Sequence, residues 1–274
     1  MLSVAGFHAL HRPGAPLFLP NAWDLASARW LRRAGHPVVG TTSLGVAVAA
    51  GLVDGAGTAG DETMRLAERL ARAGIPLTVD LESGFGRSPG ELAETTARLA
   101  ELGVVGVNLE DSDAHGRLVD PGLAARRIAA AARSGLFVNA RTDPFWIAGA
   151  ADASPESRLA ESLDRARRYL DAGADGVFVP GVASSDAIAA LTGALPAPVN
   201  VLVGSAGRST AELAGLGVAR ISTGSLLFRA SLGLLERMAG ELAGGDATPP
   251  EQTPDYASVA ALGAVGAASR DAPR

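Results

Sequence analysis

Six times along this chain a stretch rich in Ala, Leu and Arg ends at a glycine and runs straight into a short β-branched segment: RRAGHPVVGTTS, ARAGIPLTVDLE, AELGVVGVNLED, ARSGLFVNARTD, LDAGADGVFVPG and AGLGVARISTGS. Glycine just past the last helical residue takes the left-handed conformation that closes a helix. A continuous apolar run of roughly four to six residues suits a strand buried on both faces. The phrase is therefore a βα repeat, and its recurrence sets the fold class.

Strands are expected near Leu17–Leu19, Val38–Thr41, Leu77–Val79, Gly106–Leu109, Phe137–Ala140, Gly176–Val179, Val199–Val203 and Arg220–Ser222. Eight is the number that closes an α/β (β/α)₈ TIM barrel, and 274 residues suit one such domain, which commonly needs about 250. Helices are expected over Leu25–Ala34, Asp61–Ala73, Pro89–Leu102, Pro121–Ser134, Pro155–Ala172, Ser184–Leu195 and Thr210–Leu216, with a last one from near Gly224. Several open on Ser-Pro or Asp-Pro, where the polar residue caps and the proline fits the first helical position. A short helix is also expected in the first residues. Residues 1–243 form the expected barrel. Residues 244–274 change to a Gly/Pro-rich composition, read as a linker, a short weak helix and a frayed end.

Composition removes several function classes. Hydrophobic residues make up 47% of the chain, yet no apolar run reaches the ~18 residues of a membrane span. The start lacks the pattern of a secretory signal, so a cytoplasmic protein is expected. There is no cysteine, which removes thiolate metal sites and cysteine nucleophiles. All 24 basic residues are arginine, so a lysine Schiff base is excluded, and pyridoxal-phosphate chemistry with it. A net charge of -5 without a basic stripe, with 4% aromatic residues, gives nucleic acid little to bind.

In a barrel the active site gathers at the C-terminal ends of the strands. Polar residues collect there: Asn21 and Asp24, Thr42 and Ser43, Asp80 and Glu82, Glu110 and Asp111, Arg141 and Asp143, with Asn200 on the seventh strand. The clusters VDLESGFG and VNLEDS are acidic, and hard divalent cations such as Mg²⁺ prefer oxygen ligands and keep several waters. Metal-assisted chemistry on a small anionic substrate follows, with Mg²⁺ as the expected ion and Mn²⁺ as the alternative. Side chains alternate along an extended segment, so Asp111 should face away from Glu110, toward a structural hydrogen bond.

The ordered motifs PNAWD, TTSLGVAVAAGLVDG, VDLESGFG, VNLEDS and VNARTD resemble the isocitrate lyase and phosphoenolpyruvate mutase superfamily, over roughly Pro20 to Phe228. The resemblance implies that Asp80 ligates the metal directly, while Glu82 and Glu110 hold it largely through its waters. It implies that Ser43, Leu44 and Gly45 bind the substrate carboxylate through their backbone and that Arg141 engages substrate anionic groups. Trp23 and Asn200 become a pocket wall and a polar contact, and Asp54 an acid on a mobile loop near the reacting centre. Relatives are usually tetramers in which the last helix swaps onto a partner barrel, so a homo-oligomer, tetramer or dimer, is expected.

The sequence also departs from the family. Isocitrate and methylisocitrate lyases carry a Lys, Cys, Gly and His signature after the fourth strand, whereas that loop here reads EDSDAHGRLVDPG. The asparagine motif of phosphonopyruvate-forming mutases is missing as well. His115 is the one histidine in a candidate active-site loop and could replace the cysteine as proton donor, against the commoner solvated role. His8, His11 and His36 read as structural or surface residues. Asp143 either orients Arg141 or, more commonly for Asp before Pro, starts a helix. SAGRST and STGS, with small residues and exposed amides before helices, are read as caps sooner than phosphate loops. The expectation is a Mg²⁺-dependent enzyme cleaving a C–C bond of a 2-oxo or dicarboxylic acid. A phosphonate mutase or hydrolase and a non-catalytic metabolite binder are the alternatives.

Overall fold

The computed structural model describes residues 2–147, 153–245 and 252–264, together with 248 and 250. After a short helix α1 (Val4–His8), the chain runs β1 (Leu17–Leu19), β2 (Asn21–Ala22), α2 (Leu25–Arg33), β3 (Val39–Thr41), α3 (Ser43–Ala49), α4 (Gly60–Arg72), β4 (Leu77–Asp80), α5 (Pro89–Glu101) and β5 (Gly106–Glu110). It continues α6 (Pro121–Ala132), β6 (Phe137–Arg141), α7 (Pro155–Asp171), β7 (Gly176–Phe178), α8 (Ser185–Ala194), β8 (Val199–Leu202), α9 (Thr210–Gly215), β9 (Arg220–Ser222), α10 (Leu226–Gly244) and α11 (Tyr256–Ala264). Every strand pairing is parallel, in the order β1-β9-β8-β7-β6-β5-β4-β3-β2. Pro20 lies between β1 and β2 and has no N–H to donate. One stave is thereby split in two, β1 pairing with β9 and β2 with β3, and the nine segments close as the eight staves of a TIM-type barrel.

The capping chemistry operates as the sequence implies. Ser88 and Glu91 form a capping box ahead of Pro89, Asp120 accepts from Leu123 N–H ahead of Pro121, and Ser154 accepts from Ser157 N–H ahead of Pro155. Gly74 (φ +71°) and Gly103 (φ +82°) close α4 and α5 in the left-handed region. Val79, Val107, Val138 and Ala140 point outward from the strands and pack against Leu70, Leu99, Ile128 and Tyr169 of the helices. Burying a leucine such as Leu99 stabilises by roughly 2 kcal/mol.

The structure corrects the sequence reading of the inner faces. Alternate positions of the apolar runs carry Asn108, Asn139, Asn200 and Arg220, all buried inside the barrel. Helix α3 is a second correction, since its segment SLGVAVA had no helix assigned. At the N-terminal end α1 seals the barrel. Phe7 meets Phe137 edge-on with ring centroids 5.3 Å apart, and His11 stacks on Phe137 at 4.4 Å.

Beyond the barrel α10 leaves Leu232, Leu234, Leu235 and Leu242 exposed. Helix α11 lies against α2 of its own barrel, where Arg29 donates to the Leu262 carbonyl and Arg33 to Ser258. The expected frayed end, residues 265–274, lies outside the described residues. Among the described residues no helix is long and apolar enough to cross a membrane.

Candidate active site

A cavity of about 650 Å³ opens at the C-terminal ends of the strands. Of the sequence-predicted residues, Ser43, Leu44, Asp54, Asp80, Glu82, Glu110, His115 and Arg141 line it together. Trp23, Gly45 and Asn200 do not. Trp23 packs edge-on against Phe228, and a Cβ on Gly45 would come within 2.7 Å of the Trp23 Cβ, so Gly45 is where α3 closes on Trp23 and Phe228. Asn200 is buried on β8 and accepts from the Ser222 hydroxyl at 3.2 Å. A separate groove of about 550 Å³ between α4 and α5 is lined by Arg65, Glu68, Arg87 and Arg98, and Glu68 pairs there with Arg98.

Arg141 ends β6 and is held on two sides. Its Nε donates to Asp143 Oδ1 at 2.6 Å, and Nη1 lies 2.6 Å from Glu110 Oε2 across the β5–β6 register. The guanidinium carbon sits 5.5 Å from the Trp146 ring centroid and 5.9 Å from that of Phe178. Burial opposes its charge, but Glu110 and Asp143 outweigh that and hold it cationic above the usual arginine range. Among the described residues Nη2 has no partner. Asp143 thus orients Arg141 with its side chain, the less common of its two expected roles, while its carbonyl accepts from Trp146 and Ile147 N–H to start the next turn.

Behind this pair stands Asp111, turned away from the cavity and fully buried. It accepts from Tyr169 Oη at 2.7 Å, Asp143 N–H at 2.9 Å, Thr142 Oγ1 at 3.1 Å and Arg165 Nη1 at 3.2 Å. The hub ties α7 to the segment after β6 and fixes the backbone from which Arg141 and Asp143 project.

The remaining carboxylates are destabilised as anions. Asp80 is raised by burial and by the charge of Asp54, against the pull of Arg141 and the Ser43 amide, which lies 3.3 Å away. Burial and then Asp80 push Glu82 up to about 7. Burial pushes Glu110 up to about 8, Arg141 opposing and Asp143 and Asp80 adding to the shift. Glu82 adopts φ +50°, a left-handed backbone uncommon outside glycine, and Phe85 adopts φ +55°. The Glu82 carboxylate accepts from Gly57 N–H at 3.2 Å, which joins it to the loop bearing Asp54, and among the described residues its buried Oε1 has no partner.

A buried, unpartnered carboxylate oxygen among mutually repelling carboxylates fits a hard cation. Among the described residues no three His, Cys, Asp or Glu side chains converge closely enough to chelate a bare ion. The donor set therefore fits an ion that keeps most of its waters, with Asp80, Glu82 and Glu110 around it.

Asn108, Arg117 and Arg229, none of them named from the sequence, also line the cavity, as does Thr223 of the STGS motif read as a cap. Strand parity could have found Asn108, two residues before Glu110 on the same face. Arg229 lies just after STGS in the first turn of α10, its Nε donating to Ser225 Oγ.

A model of the phosphoenolpyruvate phosphomutase family matches residues 7–243. The chain belongs to this family. An uncharacterized protein of Mycobacterium tuberculosis (strain H37Rv) is 40% identical over 245 residues, 89% of this chain and 91% of that one. The 2-methylisocitrate lyase of Salmonella typhimurium is 32% identical over 191 residues, 62% of this chain and 63% of that one. Among solved structures, a protein of Burkholderia cenocepacia J2315 provisionally assigned as a phosphonomutase superposes with a TM-score of 0.80 at 44% identity, covering 88% of this chain and all of that one. The isocitrate lyase and phosphoenolpyruvate mutase superfamily expected from the motifs is thus the one to which the chain belongs, a superfamily of lyases and mutases.

Proposed function

We propose that this protein is a Mg²⁺-dependent carbon–carbon lyase, of the decarboxylase type, acting on a small 2-oxo or dicarboxylic acid. The observation that carries the reading is the unpartnered Glu82 carboxylate oxygen beside Asp80 and Glu110, facing a cavity that also presents Arg141. A divalent cation there, Mg²⁺ or Mn²⁺, supplies Lewis-acid polarisation of a 2-oxo group. Arg141 binds a terminal anionic group through Nη2, its other nitrogens being held by Asp143 and Glu110. The backbone at Ser43 and Leu44 receives the substrate carboxylate.

When the C–C bond at the β-carbon breaks, its electron pair stays on the 2-oxo fragment as an enolate, and a decarboxylated substrate releases CO₂. A proton then returns to carbon from the rim, where Asp54 and His115 stand over the cavity. No thiol is needed, which agrees with a chain that contains no cysteine. We place the enzyme in the cytoplasm as a homo-oligomer in which a second copy covers the exposed leucines of α10.

Steady-state release of the 2-oxo acid product from oxaloacetate, its 3-alkyl derivatives, methylisocitrate and phosphonopyruvate, with phosphoenolpyruvate formation from phosphonopyruvate followed beside it, with Mg²⁺ and with chelator, tests the reading on wild type and Asp80→Ala. Chelator-sensitive turnover of a carboxylic acid that is lost in the variant is the expected result. Turnover of phosphonopyruvate alone would replace the lyase with a phosphonate hydrolase or mutase. Ligand stabilisation without product would make the protein a metabolite binder.

A further inference from the structure

Inside the barrel, directly beneath the cavity, the Arg220 side chain is completely buried. Among the described residues no carboxylate forms an ion pair with it, and its Nε and Nη1 have no hydrogen-bond partner. Its one hydrogen bond runs from Nη2 to Asn108 Oδ1 at 3.2 Å. A buried cation held this way is costly to the fold, since nothing cancels its charge at contact distance. What it achieves locally is definite. Arginine can only donate, so the Asn108 atom facing it is the carbonyl oxygen, whichever way the amide would otherwise turn.

Asn139 acts on the same atom from β6. Its Nδ2 donates to Asn108 Oδ1 at 3.0 Å, so the oxygen is engaged from below by two donors. Among the described residues the Asn108 Nδ2 has no hydrogen-bond partner and is not sealed from solvent, and Asn108 lines the cavity. Asn108 stands opposite Asp80 in the β4–β5 register and two residues before Glu110 on the same face. An amide N–H₂ cannot ligate a cation. Between two carboxylates that face one, it is built to meet an oxygen of the acid and leave the ion to them.

We propose that Asn108 is a substrate-contacting hydrogen-bond donor, aimed at a carboxylate or 2-oxo oxygen of the bound acid, and that Arg220 and Asn139 are its positioning residues. The assignment rests on the proposed lyase reading for the identity of the ligand. It also gives the polar barrel interior a task, since Arg220 fixes the rotamer of a group in the pocket without reaching the pocket itself.

The test is isothermal titration of oxalate, a planar mimic of an enolised 2-oxo acid, in the presence of Mg²⁺, beside titration of Mg²⁺ alone. For Asn108→Ala the expected result is a loss of roughly ten- to a hundredfold in oxalate affinity, the range of a hydrogen bond to a charged group, with Mg²⁺ affinity kept within about twofold. Arg220→Met should weaken oxalate by about tenfold, and Arg220→Lys, which keeps a donor, should recover most of it. If Arg220→Met does not fold, Asn139→Ala removes the other clamp and should weaken oxalate in the same sense. Oxalate affinity unchanged in Asn108→Ala, or lost in step with Mg²⁺ affinity, overturns the proposal while leaving the lyase reading in place. A wild-type protein that binds Mg²⁺ but not oxalate overturns the lyase reading, and the assignment of Asn108 with it.

Discussion

At the N-terminal end of the barrel, Phe7 and His11 close over Phe137 as a sealed aromatic stack. At the C-terminal end, Asp80, Glu82 and Glu110 crowd a cavity that Glu82 enters from a left-handed backbone. Burial acts on both ends in the same way, against charge, and has opposite consequences. It lowers His11 to about 3, with Arg220 reinforcing the effect, so the ring is neutral and packs as part of the core. It raises Glu82 to about 7 and Glu110 to about 8, so the mouth holds carboxylates that ionise at the expense of the fold. One end spends its burial on stability, while the other keeps an electrostatic conflict that a cation resolves.

The contrast recurs within two adjacent residues. Glu110 faces the cavity and shares Arg141 with Asp143, whereas Asp111 turns into the wall and meets four donors. The first is available to a ligand, and the second is wholly committed to the scaffold that aims Arg141.

The largest effect that would sharpen this comparison is on turnover. Asp80→Ala should lower kcat/KM by at least about 10²–10³, the scale of losing one preorganised electrostatic contact, with thermal stability at pH 8 kept or raised. A fall in both together would place Asp80 with the scaffold. Next, Asp111→Ala should cost about 3–5 kcal/mol in urea unfolding, because it leaves the Tyr169 and Thr142 hydroxyls and the Asp143 N–H without their buried acceptor and takes from Arg165 one of its two carboxylate partners. A loss below about 1 kcal/mol would erase the division between the two neighbours.

The pH dependence of stability should run oppositely at the two ends. His11 has a folded pKa below its ordinary 6.5, so its contribution is fully present above pH 6.5 and fades as pH falls toward 3. Unfolding midpoints across that window should drop less steeply in His11→Phe than in wild type, and parallel curves would remove His11 as the cause. Glu82 has a folded pKa above its ordinary 4.5, so its contribution is present below pH 4.5 and is lost as pH rises through 7. Without metal, Glu82→Gln should therefore exceed wild type in stability by about 1 kcal/mol at pH 8, the smallest of these effects. Mg²⁺ should narrow the gap, and a gap unaffected by pH would break the account.

Much of this was legible in the sequence, for local reasons. Glycine caps and β-branched runs are written in consecutive residues, so all eight staves could be placed, and Asp80, Glu110 and Arg141 followed because strand ends locate a barrel's mouth. Pro20 splits the first stave because the loss of one N–H breaks the ladder, an effect that shows only once β3 and β9 are seen on either side of it. SLGVAVA carries no side-chain cap to announce a helix and folds as α3 directly after Thr42, whose backbone is still extended. Asn108, Asn139 and Arg220 were hidden in apolar runs. Their meaning lies in contacts between residues 31 and 112 positions apart, which no periodicity records. Trp23, Gly45 and Asn200 were drawn into the site by motif order, and packing places them beneath or beside it.

The most direct test of the central claim is an anomalous difference map from crystals of the wild-type protein soaked in Mn²⁺ and oxalate. The account predicts one strong peak at bonding distance from the Asp80 carboxylate, with Glu82 and Glu110 reaching it through waters and oxalate between the ion and Arg141. A mouth without a peak, or an ion held elsewhere on the barrel with Asp80 untouched, would contradict it.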